Sequence, residues 1–219
     1  MYIVIVGGGA IGEAFIDRAL REYRGVKITL IDAKNSVCER ISRKYHSVHV
    51  ISGDATDPHV LEDAGVSDAD VFLAVTGDDK TNIMSALLAR RLNVKNIIVR
   101  INSSIYEELA KILGLTNIIR PAKSAAIQID ILIRNPGLVD LLELARRDVE
   151  MYEVSIDENS PYAGKKIDET DIYQNNETSP VLIFRGNDVL LPKSHVKLKP
   201  GDRILIVRKK GGLLSHILT

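Results

Sequence analysis

The 219-residue sequence contains one cysteine and no tryptophan. Because Cys38 has no second cysteine to pair with, a disulfide within the chain is excluded, which is typical of a protein from a reducing compartment. No apolar run reaches the roughly 18 to 20 residues of a transmembrane helix, so we expect no direct membrane insertion. The amino terminus also lacks the segments of a signal peptide. These absences predict a cytoplasmic protein.

An excess of positive charge is missing as well. Lysine and arginine number 29, and aspartate and glutamate also number 29. A nucleic-acid-binding protein needs a basic surface to neutralise phosphates, so nucleic acid is not an expected partner. The sequence is 45% hydrophobic, which is enough to build a substantial core.

The first half of the sequence alternates short β-branched runs with longer amphipathic segments. The predicted strands are Ile3 to Val6, Ile28 to Ile31, Val48 to Ile51, Val71 to Val75 and Ile97 to Ile101. The predicted helices between them are Ile11 to Tyr23, Ser36 to Tyr45, Pro58 to Ala64 and Asp79 to Leu92. This βα repeat predicts an α/β fold with a Rossmann-like, doubly wound parallel sheet, whose ligand crevice lies at the carboxyl ends of the strands.

A helix predicted at Ala122 to Arg134 has hardly any polar face, so we expect it to be buried on all sides. Two explanations stay open: it is a core helix, or a second subunit covers the side that its own sheet leaves open. Pro136 and Gly137 then interrupt the pattern. The predicted domains are therefore residues 1–135 and residues 136–219.

The second predicted domain is smaller and rich in β-structure. A short helix is predicted at Leu138 to Arg146, before the strands begin. The predicted strands are Met151 to Ile156, Val181 to Phe184, Val189 to Leu191 and Ile204 to Val207. Together the two halves predict a Rossmann-like domain followed by a smaller α+β domain.

Three glycines follow the first strand in the pattern G-x-G-x-x-G: Gly7, Gly9 and Gly12. They allow a tight turn, close approach of a phosphate to the backbone, and close packing of helix on strand. The helix amino terminus then presents free N–H groups to the anion. Asp32 ends the second strand, where a carboxylate binds ribose hydroxyls and repels a 2′-phosphate. An adenine nucleotide is therefore predicted, and NADP is disfavoured.

Other strand ends point into the same crevice: Asp54 after the third strand, Thr76 and Gly77 after the fourth, and Arg100 near the end of the fifth. Each has a structural alternative, since Asp54 can start a turn, Thr76 can cap a helix and Arg100 can pair with a surface carboxylate. Asn82 is interpreted as a solvated helix residue.

Catalytic and metal-binding patterns are scarce. The five histidines (His46, His49, His59, His195 and His216) show no metal-ligand spacing and are interpreted as surface residues. The two matches to Y-x-x-x-K each contain a glycine and do not suit the helix that this motif needs. We therefore expect no catalytic residues and no metal, and a protein that binds a nucleotide without consuming it.

The segments "YIVIVGGGAIGEAF", "ISGDATDPHVLEDAGVSDADVFLAVTGDDKTNIMSALLAR" and "NIIVRI" resemble the amino-terminal domain of RCK proteins, the regulators of Trk and Ktr potassium uptake. The segments "SPYAGKKIDETDI", "PVLIFRGNDVLLP" and "VKLKPGDRILIV" resemble the carboxyl-terminal domain of the same family. The resemblance covers almost the whole chain.

This resemblance implies which residues hold the nucleotide. The phosphates would lie over Gly7, Gly9, Ala10, Ile11 and Gly12. The ribose would lie on Asp32, the adenine near Asp54 and Ala55, and the rest near Thr76, Gly77 and Arg100. Some Ktr-type relatives carry an arginine in the glycine loop, whereas this sequence has Ala10 and Ile11 there. The choice among NAD(H), ATP, ADP and AMP therefore stays open.

The resemblance also implies partners. It predicts dimers formed through the crossover helix, a larger ring that can include a second RCK-type subunit, and a membrane potassium-translocating subunit that the ring gates. Such a protein would lie at the inner face of the plasma membrane. The alternative function is an NAD-dependent oxidoreductase, and a DNA-binding redox repressor is disfavoured because no basic recognition helix is present.

Overall fold

The computed structural model describes residues 1–134 and 149–209, which belong to two compact units, Met1–Ile129 and Asp130–Thr219. The predicted domain boundary between residues 135 and 136 lies outside the described residues and stays a prediction. The helix predicted at Leu138 to Arg146 and His216 also lie outside them.

The first unit is built on a parallel six-stranded sheet with the order β3-β2-β1-β4-β5-β6. Its strands are β1 (Tyr2–Val6), β2 (Lys27–Asp32), β3 (Val48–Ser52), β4 (Val71–Ala74), β5 (Asn96–Arg100) and β6 (Asn117–Ile119). The strand order reverses between β1 and β4, which creates a crevice at the carboxyl ends of these two strands. The Rossmann-like prediction is confirmed, and β6 is a strand that the sequence reading missed.

Six helices accompany these strands: α1 (Ala10–Glu22), α2 (Asn35–Lys44), α3 (Pro58–Asp63), α4 (Asp79–Arg91), α5 (Ser104–Ile112) and α6 (Pro121–Arg134). Apolar clusters form around both faces of the sheet, one including Val4 and Phe72 and the other including Ile3 and Ile5. Burial on both faces explains why the strands are almost continuously β-branched. Helix α5 was not predicted.

Helix α6 corrects one expectation. None of its residues is buried in the part of the chain that the structure describes, and Ile133 is 76% exposed. The core-helix explanation is therefore wrong for the single chain as far as residues 1–134 and 149–209 show, since none of the α6 side chains is buried there. Its exposed apolar residues leave the second explanation, a covering subunit, as a proposal.

The second unit contains an antiparallel sheet with the order β7-β10-β8-β9. Its elements are β7 (Val149–Ser155), α7 (Asp171–Gln174), β8 (Thr178–Arg185), β9 (Asp188–Leu190) and β10 (Asp202–Lys209). All four predicted strands are present, and Ile183, Ile204 and Ile206 form the centre of the core. The expectation of a smaller, β-rich α+β unit is confirmed. Within the described residues no helix combines the length and hydrophobicity that crossing a membrane requires.

Candidate nucleotide-binding site

A cavity of about 500 Å³ lies at the carboxyl ends of the strands in the first unit. Eight of the eleven predicted nucleotide-binding residues line it: Gly7, Gly9, Asp32, Asp54, Ala55, Thr76, Gly77 and Arg100. These residues lie at or directly after the carboxyl ends of strands β1 to β5, which the parallel sheet brings together on one side. The cavity is large enough for part of a nucleotide in a concave, partly polar site.

The other three predicted residues lie at the start of α1. Ala10 and Ile11 are its first two residues, and Gly9 is its N-cap. Backbone N–H groups in the first turn of a helix have no partner within the helix, so they are available to an anion. A Cβ on Gly12 would lie 2.0 Å from the Gly7 carbonyl oxygen, so Gly12 acts through packing beneath the loop.

The glycine loop is held from two sides. The Asp32 Oδ2 accepts a hydrogen bond from the Gly8 N–H at 2.8 Å, and Oδ1 accepts from the Lys34 N–H at 2.9 Å. On the other side, the Arg40 guanidinium donates to the Gly8 carbonyl oxygen at 2.8 Å and is ion-paired with Glu13. The sequence reading did not identify Arg40, because no motif links a residue on α2 to this loop.

Asp54 combines both interpretations that the sequence left open. Its Oδ1 accepts hydrogen bonds from the Thr56 N–H and hydroxyl, both at 2.8 Å, which forms the local turn. Because these donors stabilise the charged form, they lower the pKa of Asp54. Asp54 also lines the cavity, so the turn holds an ionised carboxylate at the cavity wall.

The residue that caps α4 is Asp78, whose carboxylate accepts from the Thr81 N–H at 2.7 Å. Thr76 does not cap the helix in this way; its hydroxyl donates to the Asn82 Oδ1 at 2.8 Å. Asp79, the first residue of α4, accepts hydrogen bonds from the Asn102 and Ser103 N–H groups, both at 2.9 Å.

Asn82 is the clearest correction, because it was interpreted as solvated and is 0% exposed. Its Oδ1 also accepts from the Thr76 N–H at 2.9 Å, and its Nδ2 donates to the carbonyl oxygens of Thr76 and Arg100. Asn82 therefore joins the end of β4 to the end of β5. A helical pattern could have revealed this, since Asn82 shares a face with the buried Ala86 and Ala89.

Arg100 is one of the cationic residues that line the cavity. Its Nε and Nη2 donate to the Asn102 Oδ1 at 3.3 and 3.2 Å, rather than to the surface carboxylate considered as an alternative. Lys34 also lines the cavity and was not predicted, although its position directly after β2 follows the same strand-end rule. Two cations and the helix amino terminus therefore accompany three carboxylates, Asp32, Asp54 and Asp78.

Cys38 is buried, and the four histidines among the described residues lie on the surface. The Cys38 thiol is buried and donates to the carbonyl oxygens of Asp32 and Ile51, and burial raises its pKa. A raised pKa keeps it a poor nucleophile at neutral pH. His46, His49, His59 and His195 are exposed. Among the described residues no cluster of three or more histidine, cysteine, aspartate or glutamate side chains is arranged to hold a metal ion.

The second unit has a smaller cavity of about 230 Å³, lined by residues that include Tyr152, Tyr162, Asp171 and Thr178. Burial and the neighbouring Asp171 carboxylate raise the pKa of Tyr162 to about 12. Both influences favour the neutral phenol.

Two family models match the chain, the TrkA-N domain over residues 3–121 and the TrkA-C domain over residues 151–215. A protein of Methanothermobacter thermautotrophicus named as a Trk system potassium uptake protein TrkA homolog is 31% identical over 209 residues, covering 95% of this chain and 94% of that protein. A protein of Archaeoglobus fulgidus with the same name is 35% identical over 213 residues. That alignment covers 95% of this chain but 47% of the relative, so the chain spans about half the length of some relatives it matches.

Among solved structures, the RCK domain of the GsuK channel is 25% identical, with a TM-score of 0.52, and the match covers 95% of this chain and 44% of that one. The GsuK channel bound to NAD is 26% identical, also with a TM-score of 0.52, over 96% of this chain and 36% of that one. These matches extend over both units, and one of the similar structures contains a dinucleotide.

Proposed function

The chain belongs to the family of Trk potassium uptake proteins built from TrkA-N and TrkA-C domains, and from this premise we propose that it is a nucleotide-sensing regulatory subunit. In this proposal residues 1–135 bind an adenine nucleotide and residues 136–219 form the regulatory domain. The subunit lies in the cytoplasm, assembles with further copies or with a second RCK-type subunit into a ring, and gates a membrane potassium transporter.

One observation carries the nucleotide assignment: a single cavity at the strand ends gathers Gly9, Asp32, Asp54, Thr76 and Arg100 next to the amino terminus of α1. The anion-binding helix terminus suits phosphates, and the Asp32 carboxylate suits the ribose hydroxyls. A 2′-phosphate beside Asp32 would meet like charge, so NADP binds more weakly than NAD(H), ATP, ADP or AMP in this proposal.

The nucleotide acts through its different affinity for two arrangements of the assembly. Moving a two-state equilibrium from 1:99 to 99:1 takes about 5.5 kcal/mol of differential binding. Several sites in one ring share that requirement, so each site supplies only a part. The exposed apolar residues of α6 are the proposed contact between paired subunits, and the nucleotide sets the angle between them.

The experiment is calorimetric titration of the purified chain with NADH, NAD, ATP, ADP, AMP and NADP, combined with native mass spectrometry of each mixture. We expect binding of at least one adenine nucleotide, weaker binding of NADP, and a distribution of dimers and larger assemblies that shifts with the ligand. Monomers that bind none of these compounds would contradict the proposal. Steady loss of NADH absorbance in the presence of carbonyl substrates would instead indicate an oxidoreductase.

A further inference from the structure

A chain of hydrogen bonds leads out of the cavity to the amino terminus of α5. The Arg100 guanidinium donates to the Asn102 Oδ1, and the Asn102 Nδ2 donates to the Asp79 Oδ1 at 3.0 Å. The other oxygen of this carboxylate, Oδ2, accepts from the N–H of Ser103, which is the N-cap residue of α5. The chain therefore joins a cavity-lining cation to the first turn of a helix outside the cavity.

Asp79 fixes the inner end of this chain. It is the first residue of α4 and is only 8% exposed, and its carboxylate accepts three N–H groups, two of them from the backbone of Asn102 and Ser103. A buried carboxylate is costly unless it is hydrogen-bonded in this way. Asp79 consequently holds the segment between β5 and α5 against the amino terminus of α4.

Arg100 occupies the outer end, where its partner is a neutral amide oxygen. A guanidinium binds a phosphate or carboxylate with shorter, roughly twice as strong hydrogen bonds, often in a bidentate arrangement. The Asn102 Oδ1 takes N–H groups from only two of the three guanidinium nitrogens, so further donors of Arg100 remain for an anion in the cavity while Asn102 holds the side chain. An anion that fixes Arg100 in this position also fixes the orientation of the Asn102 amide.

Helix α5 carries an exposed apolar stripe at Ile105, Leu109 and Ile112, the last being 81% exposed. These positions lie on one face because residues three and four apart on a helix are neighbours. A change at Ser103 acts on this helix directly, since Ser103 is its N-cap residue.

We propose that Asn102 and Asp79 are positioning residues that hold Arg100 toward the cavity and couple it to α5. The anionic part of a bound nucleotide is sensed at Arg100, and its presence is passed through Asn102 and Asp79 to the first turn of α5. This inference rests on the proposed nucleotide binding and adds to it the element that reports the ligand's charge.

The test compares adenosine with ADP in calorimetric titrations of the wild type, Arg100→Ala, Asn102→Ala and the double variant. We expect Asn102→Ala to weaken ADP binding about tenfold, as expected for a disturbed charge-assisted hydrogen bond, and to leave adenosine binding unchanged. In the Arg100→Ala background the Asn102 substitution should have no further effect, because it acts through Arg100.

Asn96→Ala, at an exposed position where β5 begins, is the matched control. Asn102→Ser serves the same cycle if the alanine variant melts early.

Hydrogen exchange of the amides at residues 104–107 gives the second readout. In the wild type these rates should change with ADP but not with adenosine, and in Asn102→Ala the response to ADP should be lost. Equal weakening of ADP and adenosine by Asn102→Ala would indicate a merely structural role and overturn the inference. A wild type that binds ADP, together with an Asn102→Ala variant that matches it in both readouts, overturns this inference alone. A wild type that binds no adenine compound overturns the proposed function as well.

Discussion

The carboxylate of Asp32 is bonded to the glycine loop itself, because its Oδ2 accepts the Gly8 N–H at 2.8 Å. The residue proposed to hold the ribose therefore also fixes the loop proposed to hold the phosphates. In this proposal ribose recognition and loop geometry depend on one side chain, so a substitution of Asp32 affects both.

We predict that Asp32→Ala weakens adenine-nucleotide binding by roughly 1.5 to 3 kcal/mol, since charge-assisted hydrogen bonds to the ribose are lost. Calorimetric titration with NADH and ADP measures this. Asp63→Ala, at an exposed carboxylate that ends α3, is the control and should bind like the wild type. An unchanged affinity in Asp32→Ala would rule out the ribose assignment.

Two glycines of the motif should respond to alanine in opposite ways. A Cβ at Gly12 would lie 2.0 Å from the Gly7 carbonyl oxygen, so Gly12→Ala should destabilise the whole first unit. A Cβ at Gly9 would have no atom within 4 Å, so Gly9→Ala should cost about 1 kcal/mol or less as an N-cap change.

The methyl group that Gly9→Ala introduces would nevertheless lie where the phosphates are proposed to approach, so nucleotide affinity should fall at least about tenfold while the fold survives. Thermal melts and titrations of the two variants separate these effects. If Gly9→Ala binds as tightly as the wild type, the phosphates do not pass over this residue.

The sequence predicted the sheet well because its signals are local. Buried parallel strands are continuous apolar runs, and the turn after β1 needs glycine at fixed spacing, so both can be recognised within a few residues. Most of the cavity-lining residues at the strand ends were predicted from the topology of the sheet, whereas Ala55 was implied by the family resemblance.

The hydrogen-bond partners of Asn82 and Asp79 could not be predicted by the same reasoning. Polar residues in the first turn of a helix are usually solvated or capping, and their burial here depends on backbone groups of Arg100 and Ser103. Those partners lie 18 and 24 residues away in sequence. The exposure of α6 in the single chain was not predicted for a related reason. An apolar helix must be buried, but its sequence does not show whether its own chain or a second subunit buries it.

In the second unit, the buried pair of Asp202 and Arg185 should make stability depend on pH. Burial alone raises the pKa of Asp202, but the hydrogen bonds from Arg185 and from the Lys199 N–H outweigh it and lower the pKa below the ordinary value of 3.8. Because the pKa of Asp202 is lower in the folded state than in the unfolded state, the ionised carboxylate stabilises the fold at any pH above the unfolded-state pKa. This stabilisation is lost as the pH falls through the folded-state pKa.

We therefore predict that Asp202→Asn lowers the free energy of unfolding of this unit by about 3 kcal/mol at pH 7, the low end for a broken buried pair because Arg185 is partly exposed. The difference from the wild type should shrink as the pH falls below 3.8. Urea titrations of the full chain, with hydrogen exchange in β10 as the probe of unfolding, measure this difference in stability.

Glu153→Gln is the control. It breaks the exposed pair with Arg203 and should cost less than about 1 kcal/mol at any pH. A difference that persists unchanged in acid would mean that the charge of Asp202 does not stabilise the unit.

Self-association should depend on the apolar face of α6. Ile129 and Ile133 lie one helical turn apart and are 56% and 76% exposed in the single chain. Burying each against a second subunit contributes about 1.5 to 3 kcal/mol, whereas an aspartate there would bring an unpaired charge into the contact. The double variant Ile129→Asp, Ile133→Asp should therefore dissociate toward monomers in native mass spectrometry.

Gln128→Asp is the control. Gln128 lies about 100° around the helix from Ile129, so this variant adds one charge beside the apolar face and should leave the dimer in place. If both variants keep the wild-type mass distribution, the subunits must meet through another surface, and the nucleotide would have to act without the α6 contact.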